Sequence, residues 1–255
     1  MFKNITIFIF SISIILTQNL FFSEYAEGSS NHKYLEIYNS GDDIIDLTLY
    51  AFPNATNGAN ENGIYDYWNT FDEGSEISPG DVFVICHPSA DATIQVECDQ
   101  THTYLSNGND GFCLVEGSES FYTILDCIGT WSEEDPGNGW DVAGINDATK
   151  DHTLVRKEEV LYGNTGDWES SAGTNIDDSE WIILDQNTWD YVGYHPHDID
   201  EGSSDDGGGS VEDCSNGIDD DGDSYIDCND FDCDGDPACP DEICDDGVDN
   251  DDDSY

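Results

Sequence analysis

Positive charge is the scarcest property of this sequence: 5 Lys and Arg stand against 58 Asp and Glu in 255 residues, a formal charge of −53. Such a chain has no basic face to neutralise phosphates, which excludes direct nucleic-acid recognition. The five cations are Lys3, Lys33, Lys150, Arg156 and Lys157, so the end of the chain has none. Residues 197–255 hold 24 acidic residues and lack Leu and Trp altogether. With Ile199, Val211, Ile218, Ile226, Ile243 and Val248 as their only branched aliphatics, they cannot build a hydrophobic core. Long apolar runs are missing too, except from Ile5 to Leu16, just after Lys3. That run is short for a membrane span and reads as a signal peptide over residues 1–17, cut near Thr17 or Gln18, with a retained anchor as the alternative. No later segment has the apolar length to span a bilayer, so the mature chain is expected outside the cell or on its surface.

Local signatures of catalysis are also absent. The sequence contains no Gly-x-Ser-x-Gly, no His-Glu-x-x-His, no Walker loop and no Cys-x-x-Cys zinc pair. Carboxylates are so abundant that nominating any two as acid and base carries no information. His195-Pro196-His197 is the one close histidine pair; spacing of this kind can share a metal, but beside an acidic stretch it reads as surface-loop histidine. Trp131, Trp140, Trp181 and Trp189 admit a sugar-binding platform or core packing, and their strand-like surroundings favour the core. Asn54-Ala55-Thr56 fits the glycosylation pattern in an Asn-rich loop from Pro53 to Gly63, without functional weight.

What the sequence does hold, from Leu20 to about Tyr194, is short β-branched and aromatic runs separated by turn clusters. Strands are predicted over Leu20 to Tyr25, Tyr34 to Tyr38, Asp46 to Phe52, Val82 to Cys86, Gly111 to Val115, Phe121 to Ile128, His152 to Arg156 and Trp181 to Leu184. Glu36 alternates with apolar neighbours as a half-buried strand requires. Ser78-Pro79-Gly80-Asp81 reads as a turn, and Glu116 to Glu119 as a polar hairpin loop. The sum is an all-β fold, a sandwich of two antiparallel sheets over residues 18–196.

Several blocks then resemble one family, in order. Glu24-Tyr25-Ala26-Glu27-Gly28 through Tyr34-Leu35-Glu36-Ile37-Tyr38-Asn39 looks like the opening of a bacterial lamin-tail domain, an immunoglobulin-like sandwich also found in nuclear lamins. Pro79-Gly80-Asp81-Val82-Phe83, Asn109-Asp110-Gly111-Phe112, Gly139-Trp140-Asp141-Val142, His152-Thr153-Leu154-Val155-Arg156-Lys157 and Ser179-Glu180-Trp181-Ile182-Ile183 follow the same pattern. The resemblance implies a non-catalytic module, of a kind sometimes attached to nucleases or other hydrolases. Fold alone does not settle activity.

Nine cysteines in an exported chain point to disulfides. Cys86, Cys98, Cys113 and Cys127 fall in the sandwich, where three pairings are open and buried free thiols are the alternative for Cys113 and Cys127. These residues depart from the lamin-tail pattern and read as local stabilisers. Cys214, Cys228, Cys233, Cys239 and Cys244 fall in the tail.

Residues 197–213 form an acidic Gly/Ser linker, and residues 214–255 repeat with a period of 30. Cys214, Gly217, Asp219, Asp221, Asp223, Ser224 and Tyr225 recur as Cys244, Gly247, Asp249, Asp251, Asp253, Ser254 and Tyr255. The second copy is expected to continue beyond Tyr255, which would supply a partner for Cys244. Asp219, Asp221, Asp223, Tyr225, Asp227 and Asp230 take positions 1, 3, 5, 7, 9 and 12 of an EF-hand-type calcium loop, with a Tyr225 backbone carbonyl as one ligand. Ser224 replaces the expected Gly at position 6. A second frame runs Asp230, Asp232, Asp234, Gly235 and Asp241, although Pro237 and nearby cysteines oppose EF-hand helices. The pattern resembles the Asp- and Cys-rich repeats of thrombospondin type 3 with different cysteine spacing. Hard oxygen donors favour calcium, and the alternative is a solvated acidic spacer.

The expectation is a non-catalytic secreted or cell-surface binding, adhesion or spacer module with calcium-binding repeats, whose partner is an extracellular protein or glycan. The rival expectation is an accessory part of an extracellular hydrolase, plausibly a nuclease, with its catalytic domain beyond residue 255.

Overall fold

The structure is a computed structural model and describes residues 19–195. The expected signal segment, linker and repeat tail lie outside the described residues. In chain order the first strands are β1 (Leu20–Glu27), β2 (Lys33–Asn39), β3 (Ile45–Asp46), β4 (Tyr50–Ala51), β5 (Asn54–Ala55) and β6 (Glu76–Ile77). They are followed by β7 (Val82–Cys86), helix α1 (Ala92–Glu97), β8 (Gln100–Thr101), β9 (Gly111–Ser118) and β10 (Phe121–Ile128). β11 (Thr153–Arg156), helix α2 (Trp168–Ala172) and β12 (Trp181–Leu184) complete the described elements.

One sheet runs β12-β11-β1-β2-β7-β8, and a second is built on the β9·β10 hairpin with β4 and β5 paired to β9. Their facing sides share one core: Leu35 and Ile37 of β2 and Ile85 of β7 from the first sheet, Phe112, Leu114, Leu125 and Ile128 from the second. This is a strand-dominated domain consistent with an immunoglobulin-like arrangement. It departs from two purely antiparallel sheets, because β7 and β8 run parallel and β3·β6 forms a separate small ladder.

The first sheet is covered on its outer side as well. Tyr34, Val84 and Cys86 pack there with Ile94 of α1, Val192 and Trp189. Glu36, expected to face water, is therefore 0% exposed. Alternation tells which face of a strand is polar, not whether solvent reaches that face.

The single strand expected from Asp46 to Phe52 is broken. The Asp46 carboxylate accepts the Thr48 N–H at 2.9 Å and caps a 3-10 turn over Leu47–Leu49. The chain thereby leaves the β3·β6 ladder and joins the second sheet at β4. Leu47 anchors the turn in the core while Leu49 is left outside. The β9·β10 strands extend to Ser118 and from Phe121, so the hairpin loop is shorter than the expected Glu116 to Glu119. The turn at Ser78 to Asp81 is present: Asp81 N–H donates to Ser78 O at 3.2 Å, with Pro79 second and Gly80 third at φ +70°. That is the residue order a type II turn favours.

Both sandwich disulfides form. Cys113 and Cys127 are register partners across β9 and β10, and Cys86 at the end of β7 joins Cys98 after α1. The free-thiol alternative is thus overturned; a directly opposed antiparallel pair brings the two α-carbons to 4.0 Å. The loops closed are short, with separations of 12 and 14 residues, as suits local stabilisers.

A charged pair ties the sheets together. β1 bulges between Phe22 and Glu24, and β10 between Ile124 and Asp126. Asp126 accepts the Phe22 N–H at 2.8 Å, which satisfies a backbone donor beside the bulge. The same carboxylate accepts from Arg156 Nη2 at 3.0 and 3.2 Å and from Asn164 N–H at 2.8 Å. Arg156, fully buried, lies 4.4 Å from the Trp181 ring centroid.

Candidate functional site

The residues singled out by sequence are dispersed. The calcium-ligand candidates from Asp219 to Asp253, and His197, lie outside the described residues. His195 is not a surface-loop histidine: it is 6% exposed, with its ring 4.7 Å from that of Tyr38 and 5.8 Å from that of Phe21. The segment that carries it folds back over the outer face of the first sheet, and the acidic residues that follow in sequence gave no sign of this. The four tryptophans form no platform. Trp181 is in the main core, Trp131 in a small core outside the second sheet, and Trp189 outside the first. Trp140 packs on Gly129, where a β-carbon would meet the indole at 2.5 Å. Asn54 is a buried residue of β5 and not part of an open loop.

Two carboxyl groups that no motif marked are paired on that outer face. Glu24 and Glu36 are register partners on β1 and β2, both 0% exposed. Tyr34 Oη donates to Glu24 Oε1. Ser23 Oγ donates to Glu36 Oε1 at 2.6 Å, and Gly193 N–H to Glu36 Oε2 at 2.7 Å. Burial, and then the Glu36 charge, push the Glu24 carboxyl well above its usual range. Burial pushes Glu36 up to about 8, against the lowering effect of its hydrogen bonds from Ser23 and Gly193. The pair is thus protonated at least once at neutral pH. Sealed under residues 189–195, it fastens that segment to the sheet and offers no surface to a substrate.

Open chemistry lies elsewhere, at one end of the sandwich. A cleft of about 620 Å³ is lined by the β1–β2 turn, the start of β2, β5 with the segment at Tyr67 and Asn69, the end of β7, and residues 102–110. Lys33 lies at its edge with all three donors engaged: Glu27 Oε1 at 2.8 Å, Ser106 O at 2.8 Å and Asn107 Oδ1 at 2.7 Å. Asn69 Nδ2 donates to Phe52 O at 3.0 Å and to Asn54 Oδ1 at 2.9 Å. His87 Nδ1 accepts the Ser89 N–H at 3.0 Å, which places the ring proton on Nε2. Burial, and then the Lys33 charge, lower the His87 pKa; burial lowers that of His102. Both imidazoles are therefore neutral near pH 7. Asp110 accepts the Asn57 N–H at 2.9 Å, and burial raises its carboxyl above the ordinary value. Tyr67 and Tyr104 stand at the rim, 60% and 79% exposed. Sequence reasoning missed this cleft because its residues come from five separate stretches and form no local pattern.

A crystal structure of a DUF4876 family protein from Bacteroides thetaiotaomicron is similar over 71% of this chain and 75% of its own, at 12% identity and a TM-score of 0.45. No curated protein matches the chain. Residues 16–123 match the family model described as Lamin Tail Domain. Strands β1 to β9 fall inside that match, so the N-terminal region of this chain, residues 16–123, is a Lamin Tail Domain.

Proposed function

We propose that this protein is a non-catalytic secreted or cell-surface element, in which an immunoglobulin-like sandwich serves binding, adhesion or spacing and calcium orders residues 214–255. The observation that carries the reading is the Lamin Tail Domain match over residues 16–123, in a sandwich fastened by two disulfides. Such bonds persist in oxidising compartments, which supports export through residues 1–17. Among the described residues, no group of three or more His, Cys, Asp or Glu is placed to hold a metal, and no helix is long and apolar enough to cross a membrane. Calcium in the tail is supported by Asp219, Asp221 and Asp223, repeated at Asp249, Asp251 and Asp253.

Calorimetry and small-angle scattering on the oxidised full chain test the reading. Calcium should bind with a Kd on the order of 0.1 to 1 mM, in the range of extracellular modules, and reduce the radius of gyration. The double variant Asp219→Asn, Asp221→Asn should bind less while the sandwich melts at an unchanged temperature. Equal binding by that variant, or an unchanged radius, would reduce the tail to an acidic spacer. Hydrolysis of DNA, glycans or esters that co-purifies with the chain would overturn the non-catalytic reading.

A further inference from the structure

We propose that the cleft at the end of the sandwich binds an uncharged carbohydrate, a short stretch of neutral glycan. The inference rests on the reading of the chain as a binding module and names the ligand class of that module.

Charge narrows the ligand first. A chain of −53 repels anions at long range, and the cleft has no free cation to reverse this, because every Lys33 donor is taken by Glu27, Ser106 and Asn107. Phosphate, sulfate and uronate groups are therefore disfavoured. A cationic ligand finds no better partner, since Asp110 is buried and engaged with the backbone of Asn57. What the cleft offers is neutral polarity. Three amides are each held at one end: Asn69 by its Nδ2, Asn54 and Asn107 by their Oδ1. Among the described residues, Asn69 Oδ1, Asn54 Nδ2 and Asn107 Nδ2 have no hydrogen-bond partner. One acceptor and two donors of fixed orientation suit neighbouring hydroxyls, each of which both donates and accepts. The His87 Nε2–H adds a neutral donor.

Apolar surface completes the match. Tyr67 and Tyr104 are bulky rings left in water at the rim, and neither belongs to the packed core. Sugar rings have the same division, with C–H faces that pack on aromatics and hydroxyl edges that bond to amides. A peptide fits less well. Extended peptides are captured along an open sheet edge, and the edge strand beside the cleft, β8, is only Gln100–Thr101.

The test titrates the full oxidised chain with cellohexaose, xylohexaose, mannohexaose and chitohexaose, with heparin and polygalacturonate as anionic controls and casein as a protein control, followed by calorimetry. Binding to at least one neutral oligosaccharide is expected. Tyr104→Ala and Asn107→Ala should each weaken it about tenfold, the scale of losing one well-placed contact, with circular dichroism unchanged in both and melting temperature unchanged in Tyr104→Ala, while Asn107→Ala also gives up an acceptor of Lys33. Phe121→Ala, at the exposed hairpin tip, should bind as the parent does. No neutral sugar bound at millimolar concentration, or equal binding by the Tyr104 and Asn107 variants, overturns the proposal. Binding confined to heparin, polygalacturonate or casein and lost in Tyr104→Ala overturns the neutral-glycan assignment while leaving a binding module. Bound oligosaccharide that is cleaved keeps the site and overturns the non-catalytic reading instead.

Discussion

Asp126 and Glu36 are both fully buried carboxyl groups of the same sandwich, on opposite faces of the first sheet, and they are accommodated in opposite ways. Asp126 meets Arg156 and two backbone N–H groups in the space between the sheets. Glu36 meets another acid, Glu24, across two paired strands. An ion in a dry interior needs an opposite charge or must give up its own. The first site takes the former course and the second the latter. The acid pair beneath residues 189–195 accordingly responds to pH.

The largest effect expected from breaking this contrast is at the ion pair. Asp126→Ala leaves Arg156 buried without its nearest anion and orphans the Phe22 N–H, a loss of about 3–5 kcal/mol. Chemical denaturation should show it. A variant within experimental error of the parent would show that Glu180, whose Oε2 lies 3.5 Å from Arg156, suffices alone.

The acid pair gives the next effect, and its sign follows from linkage. A carboxyl raised in the folded state binds protons that the unfolded chain has released. Its stabilisation is thus complete below the ordinary value of 4.5 and is lost as pH rises through about 8. Stability should fall across that window, and Glu36→Gln should reduce the fall between pH 5 and 9 by roughly 4 kcal/mol. The other acids that act on the pair are Glu97 and Asp99 at the end of α1 and Asp190 on the covering segment. A slope identical to the parent would assign the pH response to these instead.

A smaller effect is expected at the fastening itself. Gly193 has φ +101°, and a β-carbon there would come within 2.6 Å of the Glu97 carboxylate. Gly193→Ala should cost about 1 kcal/mol. Hydrogen exchange at residues 189–195 should quicken in this variant while amides of β9 and β10 stay protected; uniform loss of protection would mean that the segment and the sheets open together.

How much of this was legible in the sequence depended on whether the deciding contacts were local. Leu20 to Tyr25, Val82 to Cys86, Phe121 to Ile128 and Trp181 to Leu184 stand out as strands because their β-branched and aromatic residues cluster, and strands form there. The turn at Pro79-Gly80 was equally plain. Asp46 looked like the start of a strand because nothing in its alternation reveals that its carboxylate will cap Thr48. Glu36 and His195 were misread for one shared reason: Glu36 lies under residues 189–195 and His195 belongs to them, and a covering segment leaves no mark on the strand it covers. The Asp126–Arg156 pair and the cleft amides belong to the same class, joined only by the fold.

β1 lies at the centre of its sheet, between β2, which follows it at once, and β11, which is among the last strands in the described chain. One edge of β1 can therefore zip early and the other must wait. Until Thr153–Arg156 arrives, β1, whose eight residues are all buried in the folded domain, has a row of unpaired N–H and C=O groups open to any other extended chain. Non-local pairing of this kind slows folding, and the interval is when a neighbouring copy can take the place meant for β11. The Arg156 side chain arrives on the same strand that closes the gap, so the Asp126 carboxylate stays without its cation for as long as that edge stays bare. Assembly of the sheet and neutralisation of its interior are one event, late in the life of the nascent chain.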